Sequence, residues 1–191
     1  MPEEPPIVFG ISGASGAPIA LRALAALKEA GAPVALVVTD GARAVLREEC
    51  GLDPDALHDL ATHIYSDHDL GAPIASGSTP TRGMAVAPCS ANTAAKIALG
   101  LADTLLTRAA HVHLKERRKL VIVPRETPLP TTLLRHLTTL SEAGAVVLDA
   151  APPYYLHPKS VDDQTAYLAG KLLDQLAVPH RLYVGWKADR S

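Results

Sequence analysis

Ile7-Val-Phe-Gly10-Ile-Ser12-Gly13-Ala-Ser15-Gly16-Ala-Pro18 is a short apolar run closed by glycines, and it passes into an alanine-rich stretch with Leu21, Leu24 and Leu27 at helical spacing. That order reads strand, turn, helix. Gly31 closes the helix, and residues 34–39 form the next continuous apolar run, rich in valine and too short for a helix. A run of this kind is a strand covered on both faces, as in a parallel sheet.

The same alternation extends along the chain. A helix is predicted over 42–50, then an acidic segment over 53–60 and a short strand near Ile64. From 67 to 82 the pattern lapses into small and turn-forming residues, among them Pro73, Ser76, Gly77, Ser78 and Pro80. This reads as a long loop of the kind that carries function. Strands at 84–87, 120–123 and 145–148 and helices at 90–100, 103–114, 131–143 and 161–177 complete the reading. Strands alternating with roughly 10–15-residue helical patterns predict an α/β fold, a doubly wound parallel sheet in a three-layer sandwich with right-handed crossovers. No internal repeat is visible. Ligands of such sheets bind beyond the carboxyl ends of the strands, which selects four loops: 13–16, 39–41, 88–93 and 124–130.

A chain of 191 residues, 48% apolar and 20% charged, fits one globular domain spanning 1–191; a domain of this size buries roughly 70% of the surface its unfolded chain exposes. Eighteen Lys and Arg against 20 Asp and Glu leave a formal charge of -2. That balance supports neither a nucleic-acid coat nor a polybasic membrane anchor and favours a small-molecule partner. Residues 1–6 carry no basic leader, and no apolar run approaches the ~18 residues of a spanning helix, so a soluble cytoplasmic protein is expected. Cys50 and Cys89 lack Cys-x-x-Cys spacing and read as reduced thiols. The eight histidines include no His-Glu-x-x-His pair, and His111 and His113 diverge on a helix, so no metal site is expected.

Four motifs stand out. Gly10-Ile-Ser-Gly13-Ala-Ser15-Gly16 opens the first helix, with glycines that let a phosphate approach the backbone and free amides that attract its charge. Its spacing is neither the dinucleotide fingerprint nor a P-loop, and it fails the hydrolase elbow; Ser15 reads as a hydrogen-bond donor, and the glycines would equally serve a tight turn. Pro88-Cys-Ser90-Ala-Asn92-Thr93 lies between strand and helix, where Ser90 can cap the helix and still face an anion or a flavin ring. Cys89 has no histidine beside it in sequence and reads as a structural thiol. Lys115-Glu-Arg117-Arg118-Lys119 ends a helix, where cations complement the dipole. Val123-Pro124-Arg125-Glu126-Thr127-Pro128 places an Arg–Glu pair at the end of a buried strand, an expensive place for charge unless it works.

Gly13-Ala-Ser-Gly16, Pro88-Cys-Ser90, residues 103–110 and above all Leu114-Lys-Glu-Arg-Arg-Lys-Leu-Val-Ile-Val-Pro-Arg-Glu-Thr-Pro-Leu129 resemble the UbiX-type flavin prenyltransferases, from Ile7 to about Trp186. The resemblance implies a flavodoxin-like fold assembled as a homo-oligomer, a dodecamer in that family, with active sites at subunit interfaces. It also implies metal-independent transfer of a dimethylallyl group from dimethylallyl phosphate to reduced FMN. A bond forms at flavin N5 as phosphate leaves, a fourth ring closes at C6, and the prenylated FMN serves UbiD-type decarboxylases. By position, Gly13, Ala14, Ser15, Thr39, Ser90, Ala91, Asn92, Thr93 and Arg125 resemble the family's FMN contacts. Arg108, Lys115, Tyr155 and Lys171 resemble its dimethylallyl-phosphate contacts. Glu126 and Glu49 resemble its acid/base and positioning carboxylates, and Ser15 and Lys115 join them as groups that act on the reaction. Loss of phosphate from an allylic carbon calls for such cations and a proton in a dry, preorganised pocket.

The chain departs from its relatives in places. Lys171 stands where many members have arginine, keeping charge but giving up fork geometry. Asp67 and His68 stand where some place a tryptophan able to shield an allylic cation, a role open to Trp186. Ser90-Ala-Asn92-Thr93 also resembles the flavin-dependent cysteine decarboxylases of related fold, the phosphopantothenoylcysteine type among them. That makes such a decarboxylase the alternative, and the motif at 115–129 decides against it. An FMN-binding electron carrier is a further alternative, one with no use for the charges at 125 and 126.

Overall fold

A computed structural model of the chain describes residues 4–185. Strands β1 (Ile7–Ile11), β2 (Val34–Val38), β3 (His63–Ser66), β4 (Gly83–Cys89), β5 (Leu120–Pro124) and β6 (Val146–Val147) form one sheet in the order β3-β2-β1-β4-β5-β6. Every pairing is parallel. The helices are α1 (Ala17–Glu29), α2 (Asp40–Cys50), α3 (Ala91–Ala98), α4 (Leu105–Lys115), α5 (Thr131–Glu142) and α6 (Val161–Gln175). This is the α/β doubly wound sandwich expected from the alternation and the flavodoxin-like fold that the resemblance implies, with the 3-2-1-4-5-6 strand order of the Rossmann type. Observed boundaries differ from the expected ones by a few residues. Among them, β4 is longer than 84–87, β6 is shorter than 145–148, and the acidic segment is a 3-10 helix over Pro54–Leu60.

Alternation along the strands sorts the core onto two faces. Ile7, Phe9 and Ile11 of β1 pack with Leu24, Leu27 and Leu172 on the side of α1 and α6. Val8, Val37, Met84 and Ile122 pack with Ile97, Leu105 and Leu106 on the side of α3 and α4. Burying a side chain of this size contributes roughly 1.5–3 kcal/mol, and the central strands are buried at every position.

The lapse at 67–82 has a structural cause. β3 and β4 are separated in the sheet by β2 and β1, so the chain must cross from one half to the other. It does so strapped along α4. Asp67, buried directly after β3, accepts from Leu106 N at 2.8 Å through Oδ1 and from Leu105 N at 2.7 Å through its carbonyl, holding the start of the helix. At the far end Arg118 donates to the carbonyls of Gly77 (2.6 Å) and Thr79 (2.7 Å). Buried His113 completes the clasp, with Nδ1 at 2.8 Å from the Ala109 carbonyl and Nε2 at 2.9 Å from Thr81 Oγ1. A carbonyl only accepts, so Nδ1 carries the proton and Nε2 accepts from the Thr81 hydroxyl.

Burial, with the Arg118 charge adding to it, holds the His113 imidazole below its usual pKa against the opposing backbone hydrogen bonds. A group that binds fewer protons when folded stabilises fully above its unfolded pKa, about 6.5, and loses that contribution as pH falls through the lowered folded value. Urea midpoints of the wild type and His113→Gln, compared at about pH 8 and about pH 5, should show this component of acid destabilisation in the wild type and not in the variant. Among the described residues, no helix is long and apolar enough to cross a membrane.

Candidate active site

The strand order reverses between β1 and β4, so the loops after them leave toward opposite faces and open a crevice at the carboxyl edge. Ser12, buried at the end of β1, ties the two loops together. Its hydroxyl donates to the Pro88 carbonyl at 3.0 Å and accepts from Ser90 N at 2.7 Å. Ser90 caps α3 as expected, accepting from Thr93 N at 3.2 Å and donating to Thr93 Oγ1 at 2.9 Å. Thr39 caps α2 in the same way, accepting from Ala42 N at 3.2 Å.

Gly13 and Gly41 meet back to back. A Cβ on Gly13 would lie 3.1 Å from the Gly41 backbone, and one on Gly41 3.2 Å from Gly13 Cα, so any larger residue would force the loops apart. Above this contact is a cleft of ≈ 480 Å³ reached by Gly13, Thr39, Gly41, Ser90, Asn92 and Thr93. Its volume is in the range of small-molecule sites. Small side chains leave it open, and the starts of α2 and α3 turn unpaired amides toward it. These features suit a flavin nucleotide with a terminal phosphate.

The start of α1 behaves differently from the sequence expectation. Its amides are already held by the protein's own anion: Glu49 Oε2 accepts from Gly16 N and Ala17 N, each at 2.9 Å. Glu49 can reach them because α2 lies along the carboxyl edge, with Thr39 at one end and Glu49 near the other. Arg125 joins the group by donating from Nε to the Ser15 carbonyl at 3.2 Å. Partial burial of Glu49 works to raise its pKa, but hydrogen bonds from Ser15, Gly16 and Ala17 and the Arg125 charge outweigh it and hold the carboxyl below its ordinary range. The cluster is therefore an ionised carboxylate bound to a serine hydroxyl beside a guanidinium.

Glu126 comes directly after Arg125, and one of its oxygens accepts from Thr127 N at 3.2 Å. The expected buried Arg–Glu pair is corrected here: Arg125 is half-buried and Glu126 exposed, because β5 ends at Pro124 and both lie beyond the sheet. Cys89 is fully buried, and burial pushes its thiol up to about 12. That keeps it protonated and inert.

Gly13, Ala14, Ser15, Thr39, Glu49, Ser90, Ala91, Asn92, Thr93, Arg125 and Glu126 thus all lie on loops or helix ends at the carboxyl edge. The remaining predicted residues are spread over α4, the segment after β6 and α6. Arg108 and Lys115 are exposed two turns apart on one face of α4. Arg108 donates from Nε to the Ala75 carbonyl at 3.0 Å, and Lys115 pairs with Glu116. Lys115 ends the helix that leads into the start of β5, at the opposite edge of the sheet from Ser15. Tyr155 lies in a turn after β6, its hydroxyl 3.4 Å from that of Tyr167, and Lys171 pairs with Asp174 on α6. Trp186 lies outside the described residues.

The sequence reading passed over Ser12 and Lys96. Ser12 was visible as a lone hydroxyl inside an apolar strand end. Lys96, at the cleft and paired with Asp103 at 2.7 Å, had no local signal. Asp67 and His68 both reach the cleft, one accepting from Leu106 N at the start of α4 and the other against Asp40 at 3.2 Å.

Comparison with known proteins agrees with this architecture. The family model described as Flavoprotein matches residues 1–170. The flavin prenyltransferase UbiX of Thermoplasma acidophilum is 47% identical over 180 residues, covering 94% of this chain and 99% of that protein. The solved structure of AnUbiX (PadA1) in complex with FMN and dimethylallyl pyrophosphate superposes with a TM-score of 0.91 at 36% identity, covering 96% of this chain and all of that one. A dodecameric FMN-dependent UbiX-like decarboxylase from Escherichia coli O157:H7 superposes at 0.92 with 39% identity, covering 94% and 98%. Identity of this extent over nearly the whole of both chains places the sequence in one group: the chain belongs to the flavoprotein family, among the UbiX flavin prenyltransferases.

Proposed function

We propose that the chain, acting as a single domain in a homo-oligomer, joins the dimethylallyl group of dimethylallyl phosphate to N5 and C6 of reduced FMN, and that the prenylated FMN passes to a UbiD-type decarboxylase. The observation that carries this reading is the Ser15–Glu49–Arg125 cluster beside a polar cleft at the switch point, in a chain that matches flavin prenyltransferases over almost its full length. Gly13, Thr39, Ser90, Asn92 and Thr93 of the cleft, with Ala14, Ser15, Ala91 and Arg125 on the adjoining loops and helix starts, would hold FMN, which would supply the nucleophilic nitrogen and ring carbon.

The protein's own part is electrostatic. Glu49 stays ionised, fixes the α1 start and orients Ser15. Glu126, exposed on the loop after β5 next to Arg125, would serve as the acid/base group as phosphate departs or the ring closes. Arg108, Lys115, Tyr155 and Lys171 would bind the leaving phosphate. Lys115 is at the wrong edge of the sheet to meet its own Ser15, so it serves a neighbour's site, and a homo-oligomer, dodecameric as in the relative from Escherichia coli, supplies that arrangement.

A cysteine decarboxylase or an electron carrier would use the same cleft for FMN. Neither needs a separate cation set for an allylic phosphate. The test is anaerobic incubation with reduced FMN and dimethylallyl phosphate, read by product mass. A flavin heavier by one dimethylallyl unit is the expected result; unmodified FMN here, with carbon dioxide released when oxidised FMN and a cysteinyl substrate are supplied in a parallel assay, would replace this reading with the decarboxylase.

A further inference from the structure

The chain has five tyrosines, and three of them, Tyr155, Tyr167 and Tyr183, gather around Lys171. The rings of Tyr155 and Tyr167 are 6.4 Å apart edge to face, and those of Tyr167 and Tyr183 are 5.0 Å apart. Lys171 Nζ is 5.9 Å from the centre of the Tyr183 ring. At the centre is Asp174, one turn further along α6. Its Oδ2 accepts from the Tyr183 hydroxyl and from Lys171 Nζ at 3.3 Å, and its Oδ1 is 3.0 Å from His180 Nε2.

The other partner of the His180 imidazole fixes its tautomer. Leu182 N donates to His180 Nδ1 at 3.2 Å, so Nδ1 is an acceptor and the ring proton on Nε2 is given to Asp174. Asp174 therefore ties two residues of the C-terminal segment to α6 while holding the lysine. Gly170 makes the docking possible: a Cβ there would lie 2.5 Å from Tyr183 Cδ1 and 2.9 Å from His180 Cε1. Lys171 donates to Asp174 and also engages the Tyr183 hydroxyl, which leaves one of its three N–H donors for a ligand.

We propose that Asp174 is a positioning residue: by docking His180 and Tyr183 on α6 it holds Lys171 and the tyrosine hydroxyls as a preformed site for the phosphate of the allylic substrate. The inference rests on the reading of Lys171 and Tyr155 as phosphate contacts. Asp174 acts through geometry and does not merely neutralise Lys171. Its carboxylate is shared among three donors, and the lysine is the most distant of them.

The test is steady-state kinetics with dimethylallyl phosphate varied at saturating reduced FMN. Asp174→Asn should raise KM for dimethylallyl phosphate by roughly 5- to 20-fold, leaving kcat and the Kd for FMN nearly unchanged. Tyr183→Phe, which removes one hydroxyl and keeps the ring, should raise KM by about 2- to 5-fold and serves if Asp174→Asn does not fold. The double variant Lys171→Ala/Asp174→Asn should raise KM by less than the product of the two single effects, because part of the Asp174 effect acts through the lysine. An unchanged or lowered KM in Asp174→Asn, or in Tyr183→Phe if that variant must stand in, would overturn the proposal. If Lys171→Ala itself leaves KM unchanged, the phosphate-contact reading of Lys171 fails and the proposal falls with it. A raised KM in Lys171→Ala with none in Asp174→Asn removes only the role of Asp174.

Discussion

Glu126→Gln should lower turnover by roughly 100-fold or more and leave FMN affinity within a few-fold, because the amide keeps the shape of the carboxyl and removes its proton chemistry. The structure sharpens this expectation. Glu126 is exposed and its carboxylate accepts a long bond from the neighbouring Thr127 N, a local contact that does not hold the fold together. A structural partner of Arg125 would lose stability on substitution; an acid/base group should lose rate. Single-turnover kinetics beside a thermal melt separates the two, with wild-type turnover in Glu126→Gln eliminating the catalytic role.

Lys115→Ala carries the second large effect. Loss of a charged hydrogen bond to the leaving phosphate should lower kcat/KM for dimethylallyl phosphate by roughly 10- to 100-fold, with FMN binding intact. Lys115 and its ion-pair partner Glu116 lie on the surface, where such a pair adds little to stability, so the melting temperature should hardly move. Unchanged kinetics in this variant would remove Lys115 from the phosphate site and return weight to the electron carrier.

Local chemistry controls the features that could be read in the sequence. The glycines after β1, the caps Ser90 and Thr39 and the valine-rich strands all obey short-range rules, and they place the cleft at the carboxyl edge. The path of α2 was not legible, because the bond from Glu49 to Gly16 and Ala17 joins residues more than thirty apart in the chain. With it went the true partner of the α1 amides, which local rules offer to a phosphate. The segment over 67–82 looked irregular because its order comes from Asp67, His113 and Arg118, polar side chains that act across distant elements. The apparent burial of Glu126 came from its place after an apolar strand, but β5 ends at Pro124 and gives no cover to residues beyond it. The resemblance supplied Lys115, Tyr155 and Lys171, and topology places Lys115 at the opposite edge of the sheet from Ser15.

Because of that separation, the proposed site takes Ser15, Arg125 and Glu126 from one subunit and Lys115 from another. Co-expressing Glu126→Gln and Lys115→Ala chains with different tags, and assaying oligomers purified through both, tests this sharing directly. If each site draws on two subunits, random mixing restores both wild-type residues at about a quarter of the sites, and mixed oligomers should recover activity of that order that neither parent has. Mixed oligomers no more active than the better parent would contradict the shared site.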